Sequence, residues 1–82
     1  MLQSSEKRPR ILSIANSRAV RIILPFARRS SDLFFYSLSG CLLDKTQGVT
    51  SKEVLWRPRS PGCYFVVVKS GGMRFVERFF IN

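Results

Sequence analysis

Gly62-Cys63-Tyr64-Phe65-Val66-Val67-Val68-Lys69-Ser70-Gly71-Gly72-Met73-Arg74-Phe75-Val76-Glu77-Arg78-Phe79-Phe80-Ile81 is the stretch that decides the fold. Its first half is aromatic and β-branched, the composition that suits a pleated strand. Side chains alternate along a strand, so Tyr64, Val66 and Val68 share one face and Cys63, Phe65 and Val67 the other. Ser70-Gly71-Gly72 closes a hairpin, and Met73 to Ile81 forms the returning strand. Pro61 ahead of Gly62 turns the chain sharply into this hairpin.

Working back towards the N-terminus, Arg57-Pro58-Arg59-Ser60-Pro61-Gly62 holds two prolines and a glycine, which excludes a helix or a central strand. Glu53 to Trp56 is a short strand. Lys45 to Ser51 is polar, contains Gly48 and reads as a loop. Leu33 to Leu38 and Cys41 to Asp44 form a hairpin bending at Ser39-Gly40. Phe26 to Asp32 is turn-like. Ala19 to Leu24 is a strand stopped by Pro25, with Val20, Ile22 and Leu24 on one face and Arg21 on the other. Residues 1–17 read as an irregular basic tail, within which Ile11 to Ala15 is either one amphipathic turn or a first short strand. Six candidate strands with turn signals roughly every 8–12 residues predict an all-β, antiparallel sandwich of six to seven strands. The 82 residues hold one domain, expected over residues 18–82.

Composition removes whole classes of function. Histidine is absent, so imidazole bases, histidine-containing triads and imidazole metal sites are excluded. Two cysteines without histidine cannot build a structural zinc site. Asp32, Asp44, Glu53 and Glu77 are too dispersed for an acid–base pair or a metal cluster. No phosphate-binding, dinucleotide or calcium loop is present. The chain is therefore expected to be no enzyme and to need no cofactor or metal. The longest apolar run, Cys63 to Val68, is far too short for a transmembrane helix. Cys41 and Cys63 both follow a glycine at a strand start, and a bridge between them is one option beside two separate thiols.

The net charge is +9, with seven basic residues against one acid in residues 1–30 and seven against four in residues 31–82. Such an excess either keeps a small β-domain soluble or draws it to polyanions. The first thirty residues lack the apolar core of a secretory signal peptide, so this chain alone is expected to stay in the cytoplasm.

Four features recur in order: Ile22-Ile23-Leu24-Pro25; an aromatic strand into Tyr36-Ser37-Leu38-Ser39-Gly40; Gly62-Cys63-Tyr64-Phe65-Val66 after a proline turn; and Lys69-Ser70-Gly71-Gly72 leading to a last strand with Arg74 and Arg78. Together they resemble the C-terminal sorting domain of type IX secretion cargo proteins, over residues 18–82. The resemblance implies a small Ig-like β-sandwich that serves as an address, with the Tyr64, Val66 and Val68 face turned to the core and Cys63, Phe65 and Val67 pointing outward or into a second contact surface. It implies recognition by an outer-membrane translocon, removal by a sortase-like peptidase, and a secreted or cell-surface destination for attached cargo. Tyr36, Gly40, Gly62, Tyr64, Lys69, Gly71, Gly72, Arg74, Arg78, Phe79 and Ile81 are the residues that match the sorting motif. It also implies a cargo domain upstream, absent from these 82 residues, so that the chain is expected to be a fragment or orphan of such a module, and a monomer. Arg74, Arg78 and the Phe79-Phe80-Ile81 tail are expected to present the recognised surface.

The rival class is a small basic nucleic-acid-binding protein. Phe34, Phe35, Phe65, Phe75 and Phe79 would be its stacking platforms and the Arg and Lys residues its phosphate contacts. Gly72 to Phe79 faintly resembles the aromatic strand of RNA-recognition modules, which also need two helices that no periodicity here supplies. A basic amphipathic membrane-surface segment over residues 10–24 is the third possibility.

Overall fold

A computed structural model describes residues 8–14, 18–25 and 29–82. Among them are seven strands: β1 (Arg10–Ser13), β2 (Val20–Ile23), β3 (Ser31–Ser37), β4 (Leu42–Val49), β5 (Glu53–Trp56), β6 (Gly62–Ser70) and β7 (Met73–Ile81). They form two antiparallel sheets, ordered β1-β2-β5 and β4-β3-β6-β7, and no helix occurs among the described residues. Constant-type immunoglobulin domains put the first, second, fifth and fourth strands in one sheet and the third, sixth and seventh in the other. Here the fourth strand has moved to the edge of the second sheet, and the remaining order is the same.

The face of the deciding stretch expected in the core is buried, and Val67 on its other face is buried as well, as befits a central strand. Val66 and Val68 are fully buried and Tyr64 nearly so, beside Leu33 and Phe35 of β3. From the opposite sheet come Val20, Ile22, Leu24 and Trp56. Trp56 joins the layers. Its indole stacks on the Phe35 ring at 4.3 Å and 9°, and meets Tyr64 and Phe79 edge-on at 5.3 and 5.9 Å. Offset stacks and edge contacts are the favoured aromatic geometries, each worth about 0.5–1.5 kcal/mol beyond the area they bury.

Three sequence expectations are corrected. The tail does not extend unbroken to residue 17: Arg10–Ser13 pairs with Val20–Ile23, so this part belongs to the sandwich. Of the two options for this stretch, the strand is the one taken; Ala15 and residues 1–7 lie outside the described residues. Lys45 to Ser51 is not all loop, because β4 runs on to Val49. As an edge strand with exposed side chains almost throughout, β4 needs no apolar alternation, which is why its polar half hides its pairing with β3. Likewise β3 starts at Ser31, two residues before its apolar run.

Candidate functional site

Most of the residues that carry the sorting resemblance, from Gly62 to Ile81, lie on the β6–β7 hairpin. Nine consecutive residue pairs join its strands, from Gly62 opposite Ile81 to Ser70 opposite Met73, with no register shift. Two residues, Gly71 and Gly72, make the bend. Gly71 has φ +61°. Positive φ at the first central position suits a type II′ turn, which matches the twist of paired strands. A Cβ at Gly71 would also run into the Arg29 guanidinium. At the other end, Gly62 has φ +149°, a conformation that L side chains rarely adopt.

Two residues on, the Tyr64 hydroxyl donates back to the Ser60 carbonyl. A tyrosine near the start of the sixth strand, bonded to backbone a few residues upstream, is the tyrosine corner of Ig-like sandwiches. It pins the Arg57–Pro61 crossover to the sheet. Tyr64 is thus a structural anchor, its ring in the core and its polar tip at the rim.

The pairing also sorts the remaining residues by face, since directly opposed residues share one. Phe75, Phe79 and Ile81 lie opposite Val68, Tyr64 and Gly62 on the core side. Ile81 is almost fully buried and Phe79 is half-buried, 6.0 Å from Tyr64. The expectation that the Phe79-Phe80-Ile81 tail forms an exposed surface is therefore corrected: Phe79 and Ile81 face inward and only Phe80, 58% exposed, faces out. Arg74, Val76 and Arg78 share its outward side, opposite Lys69, Val67 and Phe65. Tyr36 lies beside Phe65 on the same outer face, half-buried. Lys69 places its ammonium 5.3 Å above the Phe34 ring, a cation–π contact. Gly40 stands apart, in the β3–β4 turn, where its N–H donates to the Ser37 carbonyl at 2.9 Å.

β3 and the β6–β7 hairpin together bring Tyr36, Lys69, Arg74 and Arg78 onto one outward sheet surface, and Gly62, Tyr64, Gly71, Phe79 and Ile81 build the hairpin itself. Among the described residues the ion pairs are Arg8–Glu77 at 3.0 Å and Arg21–Glu53 at 3.5 Å. Neither involves Arg74 or Arg78. Arg8 holds Glu77 on the inward side of β7, next to the three-stranded sheet. Of the five phenylalanines offered for nucleic-acid stacking, Phe35 is fully buried and Phe75 and Phe79 face the core. Only Phe34 and Phe65 remain on the outer face.

Sequence patterns do not reveal a second feature, an open cleft of about 570 Å³ between β4 and β5. Trp56 and Tyr64 form its floor, Leu43 and Asp44 one wall, and Arg57 and Arg59 its rim. The Trp56 indole N–H donates to Asp44 Oδ2 at 3.2 Å, tying the edges of the two sheets together. Both polar groups of the floor are already engaged within the fold, which gives the cleft a structural explanation. Cys41, exposed, and Cys63, half-buried, are free thiols.

No family model matches this chain, and no curated protein is similar to it in sequence. Among the described residues no three Cys, Asp or Glu side chains gather to hold a metal, and no helix is long and apolar enough to cross a membrane.

Proposed function

We propose that this chain is a non-catalytic sorting module: a folded address carried by secreted cargo and gripped by an outer-membrane type IX translocon. On this reading a sortase-like peptidase then releases the cargo to the cell surface. The observation that supports it most is the edge of β7, which has no strand beside it among the described residues. A partner can add a strand to such an edge, gaining main-chain hydrogen bonds for affinity and side-chain contacts for specificity.

The other three edges invite this less. β1 and β5 have four residues each. β4 has eight, but its register against β3 shifts twice and it carries Asp44, Lys45 and Gly48. Short length, bulges and charges are the usual protections of an edge. β7 also carries charges, at Arg74, Glu77 and Arg78, but it is nine residues long and its register is unbroken throughout.

The test fuses the chain behind a folded reporter bearing a signal peptide, in a bacterium with a type IX system and in a sister strain without the translocon. The reporter should reach the surface in the first and remain periplasmic in the second. Retention in both, or equal delivery of a reporter lacking the chain, would reject the sorting role.

A further inference from the structure

The geometry of β7 points to a partner of defined chemistry: an acidic β-segment of another protein, with two carboxylates four residues apart on one face. This inference rests on the sorting reading, in which another protein grips the module. Arg74, Val76, Arg78 and Phe80 alternate on the outward face of an edge that has no strand beside it among the described residues. Both arginines are exposed, and neither meets a carboxylate within the described residues. Asp32, the carboxylate that the pairing places on this face, lies two strands away and accepts the Gly48 N–H at 2.9 Å. The neighbour across the hairpin from Arg74 is Lys69, another cation.

Charge also selects against the simplest occupant, a second copy of the chain. An antiparallel β7–β7 pair centred on Val76 would set each Arg74 against the other copy's Arg78. A parallel in-register pair would set each arginine against its own equivalent. Like charges directly opposed destabilise a sheet, and opposite charges stabilise it. In these two registers self-pairing opposes like charges, and a foreign segment free of that repulsion suits the edge better. Such a segment carries Asp or Glu opposite Arg74 and Arg78, about 13 Å apart along the strand at roughly 3.3 Å per residue. Between them it carries a small apolar residue against Val76, and beyond them an apolar residue against Phe80, which is 58% exposed.

The experiment uses the full chain and two synthetic nine-residue peptides. One has Glu-Val-Glu-Val on one face and Thr on the other; the second replaces both Glu by Lys. Binding is read at low ionic strength by titration and by amide protection of β7. The acidic peptide should bind at least tenfold more tightly than the Lys peptide and protect β7. An Arg74→Glu/Arg78→Glu chain should reverse that preference, and an Arg74→Lys/Arg78→Lys chain should keep it. Equal binding of the two peptides, or protection that falls on β4 instead, overturns the inference. So does a single-stranded oligonucleotide that outcompetes the acidic peptide and perturbs Phe34 and Phe65. Failure of reporter delivery with the peptide preference intact counts against the sorting reading alone. Intact delivery with no peptide preference removes only the acidic partner.

Discussion

Replacing Tyr64 by Phe deletes one oxygen and leaves the ring in place. The aromatic contacts to Trp56 and Phe79 survive, so no cavity opens. What is lost is the hydrogen bond to the Ser60 carbonyl. Ser60 is exposed, so the freed carbonyl regains water. The cost is then that of one net hydrogen bond, about 1 kcal/mol. A domain of this size is expected to have about 4–12 kcal/mol of total stability, at roughly 0.05–0.15 kcal/mol per residue. The substitution should therefore lower the midpoint of thermal unfolding by about 4–8 °C without abolishing the fold. A thermal scan by circular dichroism reads that shift, and urea unfolding reads the free-energy cost, with an unchanged dependence on denaturant showing that the unfolded state is the same. Tyr36→Phe is the control. That hydroxyl makes no hydrogen bond among the described residues, and its loss should change stability by less than about 0.5 kcal/mol. Equal stability of Tyr64→Phe and the unaltered chain, or an equal cost at Tyr36, would refute the corner.

Two further substitutions probe the same framework. Gly62→Ala places a side chain at φ +149° and should cost about 1–3 kcal/mol in urea unfolding, whereas Gly72→Ala, with open space around its Cβ, should be tolerated. Ser31→Ala should be neutral or stabilising by up to about 1 kcal/mol in the same assay, because the buried Ser31 hydroxyl has no hydrogen-bond partner among the described residues.

How much of this was legible in the sequence depended on where each strand sits. β6 is central and apolar on both faces from Cys63 to Val68, so its strand character is plain, but the choice of Tyr64, Val66 and Val68 as the core face came from the resemblance and not from alternation. β2 is read from its own alternation, with Val20, Ile22 and Leu24 all buried. β4 is wet on nearly every side chain, and nothing in Lys45 to Val49 separates an exposed edge strand from a loop. β1 is four residues long, and its existence depends on pairing with β2 rather than on its own pattern. The Phe79-Phe80-Ile81 run has no alternation from which to choose a face; only its register against Tyr64 turns Phe79 and Ile81 inward. The Trp56–Asp44 bond joins residues twelve apart on different sheets. No local signal announces it. Tyr64 is a case where the motif could be seen and its job could not: the residue matches the sorting pattern, while the hydroxyl contact shows it holding the crossover in place.

The lone tryptophan of the chain is lodged where the two layers touch, stacked flat on Phe35 and tethered to the far sheet through Asp44. Nature has in effect installed an optical gauge at the seam. Any event that prises the layers apart, whether heat, a pulling machine or a grip on the outer strand, must disturb that indole's surroundings, and its emission can follow the event without an added dye.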